Sequence, residues 1–585
     1  MSRAPALQPP PIHVETLGHL QRSGLLAECQ VVLPTPAAGR TGGPTGEASL
    51  SGYMTLGSYK FHLRVGLPLA FPLRLPELTV LSVEPQLELP HLVGDHQLCF
   101  ESETNLLLDR RDPWGIVQES LARAREMLHR LITGGRAEEF AQEIVAYWAT
   151  PARIRLDCDV DATERPHLTQ ILFSKQVPIA VADDPFAYGQ SRRERRADDL
   201  ARQNAIYIPI DPVAVDPEFD PRELMKPEGI RKYIRALPEA DRREVARLLG
   251  HCTQRQELVV LGVKRPRGER ARVGVWFPRV RGKHPLADEL AQDLAIPVAL
   301  RRRDLAFLAP RGGAGAELQK RQVLIVGCGA VGGHVALILA RAGIGQISLV
   351  DPDSFELENT YRHVCGMAHV DLTKVQGLRQ ELQRLIPYVK VVPYEEEIEN
   401  LLVRQPEVLA QHDLVISALG SPTVEMHLNE RIWSSTKHPP AIFAWLEPLG
   451  IGGHVLATHV PKAEGFSRGC LECLYHRPVE EGPLENRAAF ATPGINYTRD
   501  VLGCGSTYLP FADLDSLRTA EMAARFALRI LHRQLEGAPL VSWKGDALAF
   551  EKVGYRATPR FDAISGPFSE EQVAHVRESC PVCAS

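Results

Sequence analysis

Val323-Leu-Ile-Val-Gly-Cys-Gly-Ala-Val-Gly332 is the stretch that decides the fold. Four consecutive apolar residues, Val323 to Val326, read as a buried strand, and the run Val331 to Ala342 reads as a helix. Between them stand Gly327, Gly329 and Gly332. Glycines at that spacing permit a tight turn and let backbone N–H groups approach a phosphate at the positive end of the helix. A second strand, Ile347 to Val350, ends at Asp351; a third, Asp413 to Ala418, leads into a helix from about Thr423. Strand and helix alternate, which predicts a parallel, doubly wound α/β sheet with a nucleotide at the end of its first strand.

An acidic residue at the end of the second strand, read alone, suits ribose recognition in a dinucleotide dehydrogenase. The residues after it point elsewhere. Asp351 and Asp353 are followed by Glu358, Asn359, Arg362 and Lys374. Cations and an amide beside the ribose fit an enzyme that splits ATP between its α- and β-phosphates, where Arg and Lys neutralise the triphosphate.

The chain has 585 residues, enough for several domains. Its net charge of −5 argues against a globally basic nucleic-acid binder. No apolar run is long enough to span a membrane, and Met1 to Pro11 lacks a signal-peptide pattern, so a soluble cytoplasmic protein is expected. Eleven cysteines are too few for a disulfide scaffold. Four of them form Cys-x-x-Cys pairs, Cys470/Cys473 and Cys580/Cys583. Two such pairs can supply four thiolates to one tetrahedral Zn²⁺, which would pin the C-terminal tail to the body; unrelated or redox pairs are the alternative. Cys504 lies between the pairs among small residues, in an expected exposed loop before a helix over about 516–535.

The N-terminal third opens Pro-rich, with Ala37 to Gly52 readable as a flexible loop. Tyr59 to Val65 alternates like a half-buried strand, Pro68, Pro72 and Pro76 exclude a helix, and Trp114 to Ile132 turns helical. Residues 151–300 mix expected strands, among them 171–182, 205–210, 258–262 and 273–277, with charged helices over 222–249 and a solvated basic run, Arg192 to Arg196. No catalytic constellation or phosphate-binding glycine pattern stands out in that middle third, and no internal repeat is visible.

From about Leu300 to Ser585 the sequence resembles the ThiF/MoeB/E1 superfamily, which activates the C-terminal glycine of ubiquitin-like or sulfur-carrier proteins. The resemblance implies ATP and Mg²⁺ as cofactors, Asp351 at the ribose, and Asn359, Arg362 and Lys374 along the phosphates. It also implies a homodimer in which Arg303 reaches the partner's ATP. The superfamily's metal-supporting Asp after the third strand is missing from Ser417-Ala-Leu-Gly420-Ser421, so either Asp353 or another group supports the metal or metal binding is weaker. It places a thioester-forming cysteine where Cys504 stands, and Cys-x-x-Cys pairs in this order make structural zinc the expectation.

In the N-terminal region, Phe71-Pro-Leu-Arg-Leu-Pro76, Leu89-Pro90-His91, Cys99 and Trp114 resemble the ubiquitin-conjugating (E2) fold. Cys99 then takes the place of the catalytic cysteine. Leu-Pro-His replaces the family's His-Pro-Asn turn, so the oxyanion asparagine is absent and His91 is the candidate donor in its place. Together the two ends are similar to bacterial proteins that fuse conjugating and activating domains, best known from CBASS antiphage operons. The resemblance implies residues 1–150 as an E2-like domain, 151–300 as an inactive adenylation-like linker, and 301–585 as the adenylation domain. It further implies, as acyl donor, a ubiquitin-like protein or the C-terminus of a cGAS/DncV-like nucleotidyltransferase, and lysine-bearing proteins as acceptors. The alternative reading is a sulfur-carrier protein adenylyltransferase.

Overall fold

The computed structural model describes residues 10–32, 48–104, 106–185, 200–252, 254–280, 282–291, 295–434, 439–462, 465–479, 482–500, 507–566 and 568–584. The chain divides into two compact units, Met1–Arg303 and Asp304–Ser585.

The first unit opens with helix Pro11–Ser23, which the sequence reading did not anticipate. Pro11 starts it where a missing N–H costs nothing, and Gly24 ends it in the left-handed region at φ 73°. An antiparallel sheet follows: β1 Ala27–Val32, β2 Ala48–Leu56, β3 Tyr59–Leu67 and β4 Glu77–Glu84, then the short strands β5 Leu92–Val93 and β6 Gln97–Leu98, in the order β1-β2-β3-β4-β6-β5. Ala48 to Gly52, expected in a loop, instead begins β2, because Ala48 and Leu50 alternate inward and pair with Leu67 and Val65 of β3. On β3 the anticipated alternation holds: Phe61, Leu63 and Val65 are fully buried. Helix Pro113–Arg130, capped by Asp112 accepting from the Gly115 N–H, lays Val117, Leu121, Ala124 and Leu128 on this sheet.

The remainder of the first unit is a closed barrel in the order β10-β11-β12-β13-β7-β9-β8, built from β7 Ile154–Asp159, β8 His167–Ser174, β9 Val177–Ala182, β10 Ala201–Ile210, β11 Glu257–Val263, β12 Ala271–Phe277 and β13 Ile296–Arg302. The strands close on themselves. Three pairs are parallel (β10·β11, β13·β7, β7·β9) and the other four antiparallel. Leu156, Tyr207, Leu258 and Trp276 help to fill the interior. The outer face buries Phe219, Tyr233 and Leu248. It also buries Phe140, Ile144 and Trp148, from helices Arg136–Gln142 and Ile144–Ala149, and the Trp148 indole donates to the Gly274 carbonyl at 2.9 Å. Those two helices, expected in the N-terminal domain, therefore pack with the barrel. The basic run Arg192 to Arg196 lies outside the described residues.

The second unit is the doubly wound sheet that the opening motif implies. β14 Gln322–Val326, β15 Gln346–Val350, β16 Lys390–Tyr394, β17 Leu414–Ser417 and β18 Ala441–Leu446 are parallel, in the order β16-β15-β14-β17-β18. The antiparallel strands β19 Gly452–Thr458, Leu540–Lys544 and Glu570–Val573 extend it. Helices Ala330–Arg341 and Asp513–Leu531 cover one face, packed on each other, the first also on β14 and the second on β18 and β19. Among the described residues no helix is long and apolar enough to cross a membrane.

Candidate active site

The order β16-β15-β14-β17 places the switch in winding direction between β14 and β17, where a doubly wound sheet opens a crevice beyond its carboxyl ends. A cavity of about 910 Å³ lies there. Gly329, Asp353, Asn359, Arg362 and Lys374, all anticipated from the sequence, line it.

The other two glycines work from beneath. Gly327 sits at φ 89°, and a Cβ on it would lie 2.6 Å from the Ala418 carbonyl oxygen. A Cβ on Gly332 would come within 1.9 Å of the Gly327 oxygen. These two close the turn onto β17, while Gly329 presents backbone to the cavity at the start of helix Ala330–Arg341.

Asp351 is buried, and both its oxygens are engaged: Oδ2 accepts from the Cys328 N–H at 2.7 Å and Oδ1 from the Asp353 N–H at 2.9 Å. Burial pushes its carboxyl above the usual range despite those bonds and the nearby Lys374 charge. It braces the glycine loop from behind. Lys374 caps the other side, its Nζ 2.6 Å from Asp353 Oδ2. Arg362 donates to the Leu509 carbonyl at 3.2 Å and lies over the Tyr508 and Phe511 rings. Arg303 belongs to the first unit, where its guanidinium donates to the buried Asp157 at 2.8 Å.

Sequence reasoning missed a carboxylate. No acid follows β17, but Glu425, in the first turn of helix Pro422–Trp433, reaches back to it. Glu425 lines the cavity and is only 4% exposed; Ser417 Oγ donates to its Oε1 at 2.8 Å. Burial lifts its pKa to about 7, opposed by the Ser417 hydroxyl and the Leu419 and Gly420 N–H groups. The signal was present in the helix: an acid three residues past the proline that starts it faces the strand end. Glu447 lines the far wall, accepting from His454 at 3.1 Å and from the Phe490 and Ala491 N–H groups.

Cys470, Cys473, Cys580 and Cys583 converge, with all four Sγ atoms within 4.8 Å of one another and all four residues buried. The Cys470–Cys580 and Cys473–Cys583 sulfurs are 3.7 and 3.5 Å apart. Zn–S bonds of about 2.3 Å in a tetrahedron put sulfurs roughly 3.8 Å apart, so the donor set fits one zinc ion. Cys504 lies outside the described residues.

In the first unit Cys99 directly follows β6 and is exposed. Its N–H donates to the His91 carbonyl at 2.7 Å. Burial of its sulfur, then the Glu143 and Glu101 charges, push the thiol up. His91 was expected to offer a donor to an oxyanion. Instead its Nδ1 is held by Glu143 at 2.9 Å and its Nε2 by Glu139 at 3.2 Å. Burial opposes charge on the ring, yet the two carboxylates hold its pKa above the ordinary value.

Two family models match this chain: the ThiF family over residues 302–531 and prokaryotic E2 family B over residues 46–155. The chain joins a prokaryotic E2 domain to a ThiF domain. The match to the ThiF domain covers the glycine loop and every cavity residue from Gly329 to Phe511; the match to the E2 domain covers Cys99 and strands β2 to β6. An ATP-dependent ubiquitin transferase-like protein Cap2 of Pseudomonas aeruginosa is 25% identical over 78% of this chain and 82% of its own length. A Cap2 protein of Vibrio cholerae is 28% identical over 37% of this chain and 36% of its own length. A sulfur carrier protein adenylyltransferase of Thermus thermophilus is 29% identical, covering 31% of this chain and 64% of its own. Among solved structures, Escherichia coli MccB in complex with MccA-N7isoASN is 19% identical, with a TM-score of 0.33, over 46% of this chain and 68% of its own. This pairing of domains supports an enzyme of the E1/E2 type and ATP-dependent, ubiquitin-like activation.

Proposed function

We propose that this protein activates a partner protein's C-terminal glycine with ATP and passes it through two cysteines to a lysine amine. One observation carries the reading. A single cavity at the switch point gathers a glycine loop, Asn359, Arg362 and Lys374, and the same chain displays an exposed cysteine at the E2 position. The partner's carboxylate attacks the α-phosphorus of ATP, and pyrophosphate leaves into the field of Arg362 and Lys374. Gly329 and its neighbours present N–H groups to the phosphates, and Asp351 keeps that loop in place. Asp353 and Glu425 are the cavity carboxylates suited to Mg²⁺, which supplies charge neutralisation at the triphosphate. Cys504 then takes the acyl group as a thioester, releasing AMP, and Cys99 receives it by thioester exchange. Cys470, Cys473, Cys580 and Cys583 would hold a zinc ion, which would fasten the tail around Cys580 and Cys583 to the segment of Cys470 and Cys473.

The acyl donor in this reading is a ubiquitin-like protein or a cGAS/DncV-like nucleotidyltransferase C-terminus, the setting a cytoplasmic antiphage (CBASS) operon, and the assembly a homodimer. Direct nucleic-acid binding has no part in it. The domain division 1–150, 151–300 and 301–585 remains part of the proposal, with the middle third as the link between the two chemistries.

The test is a non-reducing gel with ATP·Mg²⁺ and the candidate partner, comparing wild type with Cys504→Ala and Cys99→Ala. The relay predicts a reductant-sensitive adduct that Cys504→Ala abolishes and that Cys99→Ala traps on Cys504. An adduct that survives loss of Cys504 refutes the order of transfer. Full conjugating activity in Cys99→Ala would favour a sulfur-carrier adenylyltransferase.

A further inference from the structure

One end of the barrel in the first unit collects arginines. β7, β10, β11 and β13 run in one direction, as the parallel pairs and the shared antiparallel neighbour β12 require. Where they finish, Arg302 closes β13, Arg272 lies near the start of β12, and Arg265 and Arg270 stand on the turn that joins β11 to β12. Alternation along β12 puts Arg272 on the side of Trp276, which helps to fill the barrel.

Two of the four are neutralised. Arg270 is bound to Glu164 and donates to the Ile210 and Gly262 carbonyls. Arg302 lies 2.7 Å from the Glu269 carboxylate. The other two are paired with no carboxylate among the described residues. Arg265 donates to the Glu269 carbonyl at 2.6 Å. Arg272 donates from Nε to the Val160 carbonyl at 2.5 Å and is only 6% exposed. Its buried Nη1 has no hydrogen-bond partner among the described residues.

A guanidinium keeps its charge at every accessible pH, so Arg272 cannot become neutral to suit its burial. A buried cation without a counterion and with an N–H group unsatisfied is strongly unfavourable. Its neighbour shows the same crowding. Burial and then the Arg302 charge hold the Arg265 guanidinium below its ordinary range; Glu269 opposes this and Arg272 adds to it. Guanidiniums kept together against their repulsion, one with a buried donor to spare, suit an anion that accepts from both. A phosphate dianion matches in charge and in geometry: its two charges balance two guanidiniums, and its oxygens fit the guanidinium fork. A carboxylate would balance only one.

We propose that this end of the barrel binds a phosphate group between Arg272 and Arg265. Arg272 supplies the buried donor. Arg265 closes from the turn, which Glu269 steadies through its carbonyl to Arg265 and its carboxylate to Arg302. The site belongs to the first unit and stands whether or not the cysteine relay does.

The test is calorimetric titration of inorganic phosphate into the full-length protein, with the ATP cavity saturated by α,β-methylene ATP and ionic strength held constant with chloride. Phosphate should bind, and acetate should not compete. Arg265→Gln and Arg272→Gln should each weaken binding roughly 10- to 100-fold, the loss of one charge-assisted hydrogen bond. Arg267→Gln, exposed on the same turn, should change it by no more than about twofold. Arg272→Gln also gives up the bond to Val160, so melting temperatures without phosphate are measured first, and Arg265→Gln carries the test if Arg272→Gln does not fold. Glycerol 3-phosphate is the second arm. Binding as tight as that of phosphate supports a site for a phosphate carried on a larger molecule, and much weaker binding supports one for the free ion. Wild type that takes up no phosphate at about 10 mM overturns the proposal. So does binding that survives loss of Arg265 and Arg272, or acetate that competes on equal terms.

Discussion

Glu425 offers the sharpest test of the cavity's electrostatics. Its carboxyl is buried against the end of β17, and burial raises its pKa from the ordinary 4.5 to about 7. At about 1.36 kcal/mol per tenfold, that difference amounts to roughly 3 kcal/mol. The sign follows from which state ionises first. Below pH 4.5 the folded and unfolded chains both hold the proton, and Glu425 costs nothing. Between pH 4.5 and 7 the unfolded chain releases it while the folded chain retains it, so stability falls as pH rises, and above about pH 7 the loss levels off. Glu425→Gln copies the protonated side chain in shape and cannot ionise. The assay is calorimetric unfolding of wild type and variant from pH 4 to pH 8, following the transition that added ATP shifts upward. The variant's advantage should widen by roughly 3 kcal/mol across that range, with most of the change between pH 4.5 and 7. A constant gap would mean that Glu425 ionises in the fold as an ordinary carboxylate. A narrowing gap would mean that its ionised form is the stabilised one, and the account of β17 would be wrong in sign.

The glycine loop makes two contrasting predictions. Gly332→Ala puts a methyl 1.9 Å from the Gly327 oxygen and should cost at least the ~1–3 kcal/mol of an overpacked core, lowering the melting temperature and abolishing ATP binding by titration calorimetry. Gly329→Ala meets nothing within 4 Å, so it should keep the melting temperature and lose only affinity for ATP. Lys374→Met removes the cation paired with Asp353 at the cavity and should reduce kcat/KM for ATP–pyrophosphate exchange by roughly 10- to 100-fold, the equivalent of one charge-assisted hydrogen bond. Cys580→Ser breaks the four-thiolate set, so bound zinc measured by mass spectrometry should fall from one per chain toward zero, and limited proteolysis should release the tail after strand Glu570–Val573.

What could be read from the sequence follows the range of the interactions. β14, its glycines and the helix after them are local: four apolar residues, a tight turn and a helix start within ten positions, each with its own physical reason. Lys374 and Arg362 were legible as cations near a phosphate, but their exact partners, the Asp353 carboxylate and the Leu509 carbonyl, were not. The barrel escaped because its closure depends on β13 pairing with β7 and β10 with β8, across long stretches of chain. Its strands give little periodic signal either, since all seven residues of β11 and of β12 are buried. Two carboxylates were overlooked for a related reason. Glu425 supports β17 from a helix rather than from the strand end where an acid was sought, and Glu143 reaches His91 from the junction of two helices that pack on the barrel.

That last contact bears on what the barrel does for the surroundings of His91. Helices Arg136–Gln142 and Ile144–Ala149 bury Phe140, Ile144 and Trp148 on the barrel, and Glu139 of the first helix and Glu143 at the junction between the two reach His91. Arg136 is bound to Glu218, and Arg222 lies 2.9 Å from Glu88, two residues short of Pro90 in the turn that leads to His91. The carboxylates that hold His91 are therefore carried by a segment packed on the barrel, with Glu139 tied also to Arg130 of the long helix. An E2 domain cut from this chain at its sheet and long helix would keep Cys99 and lose the side chains that fix His91. Restoring residues 136–149 without the barrel would leave Trp148 and Phe140 exposed and the helices without a surface to hold them.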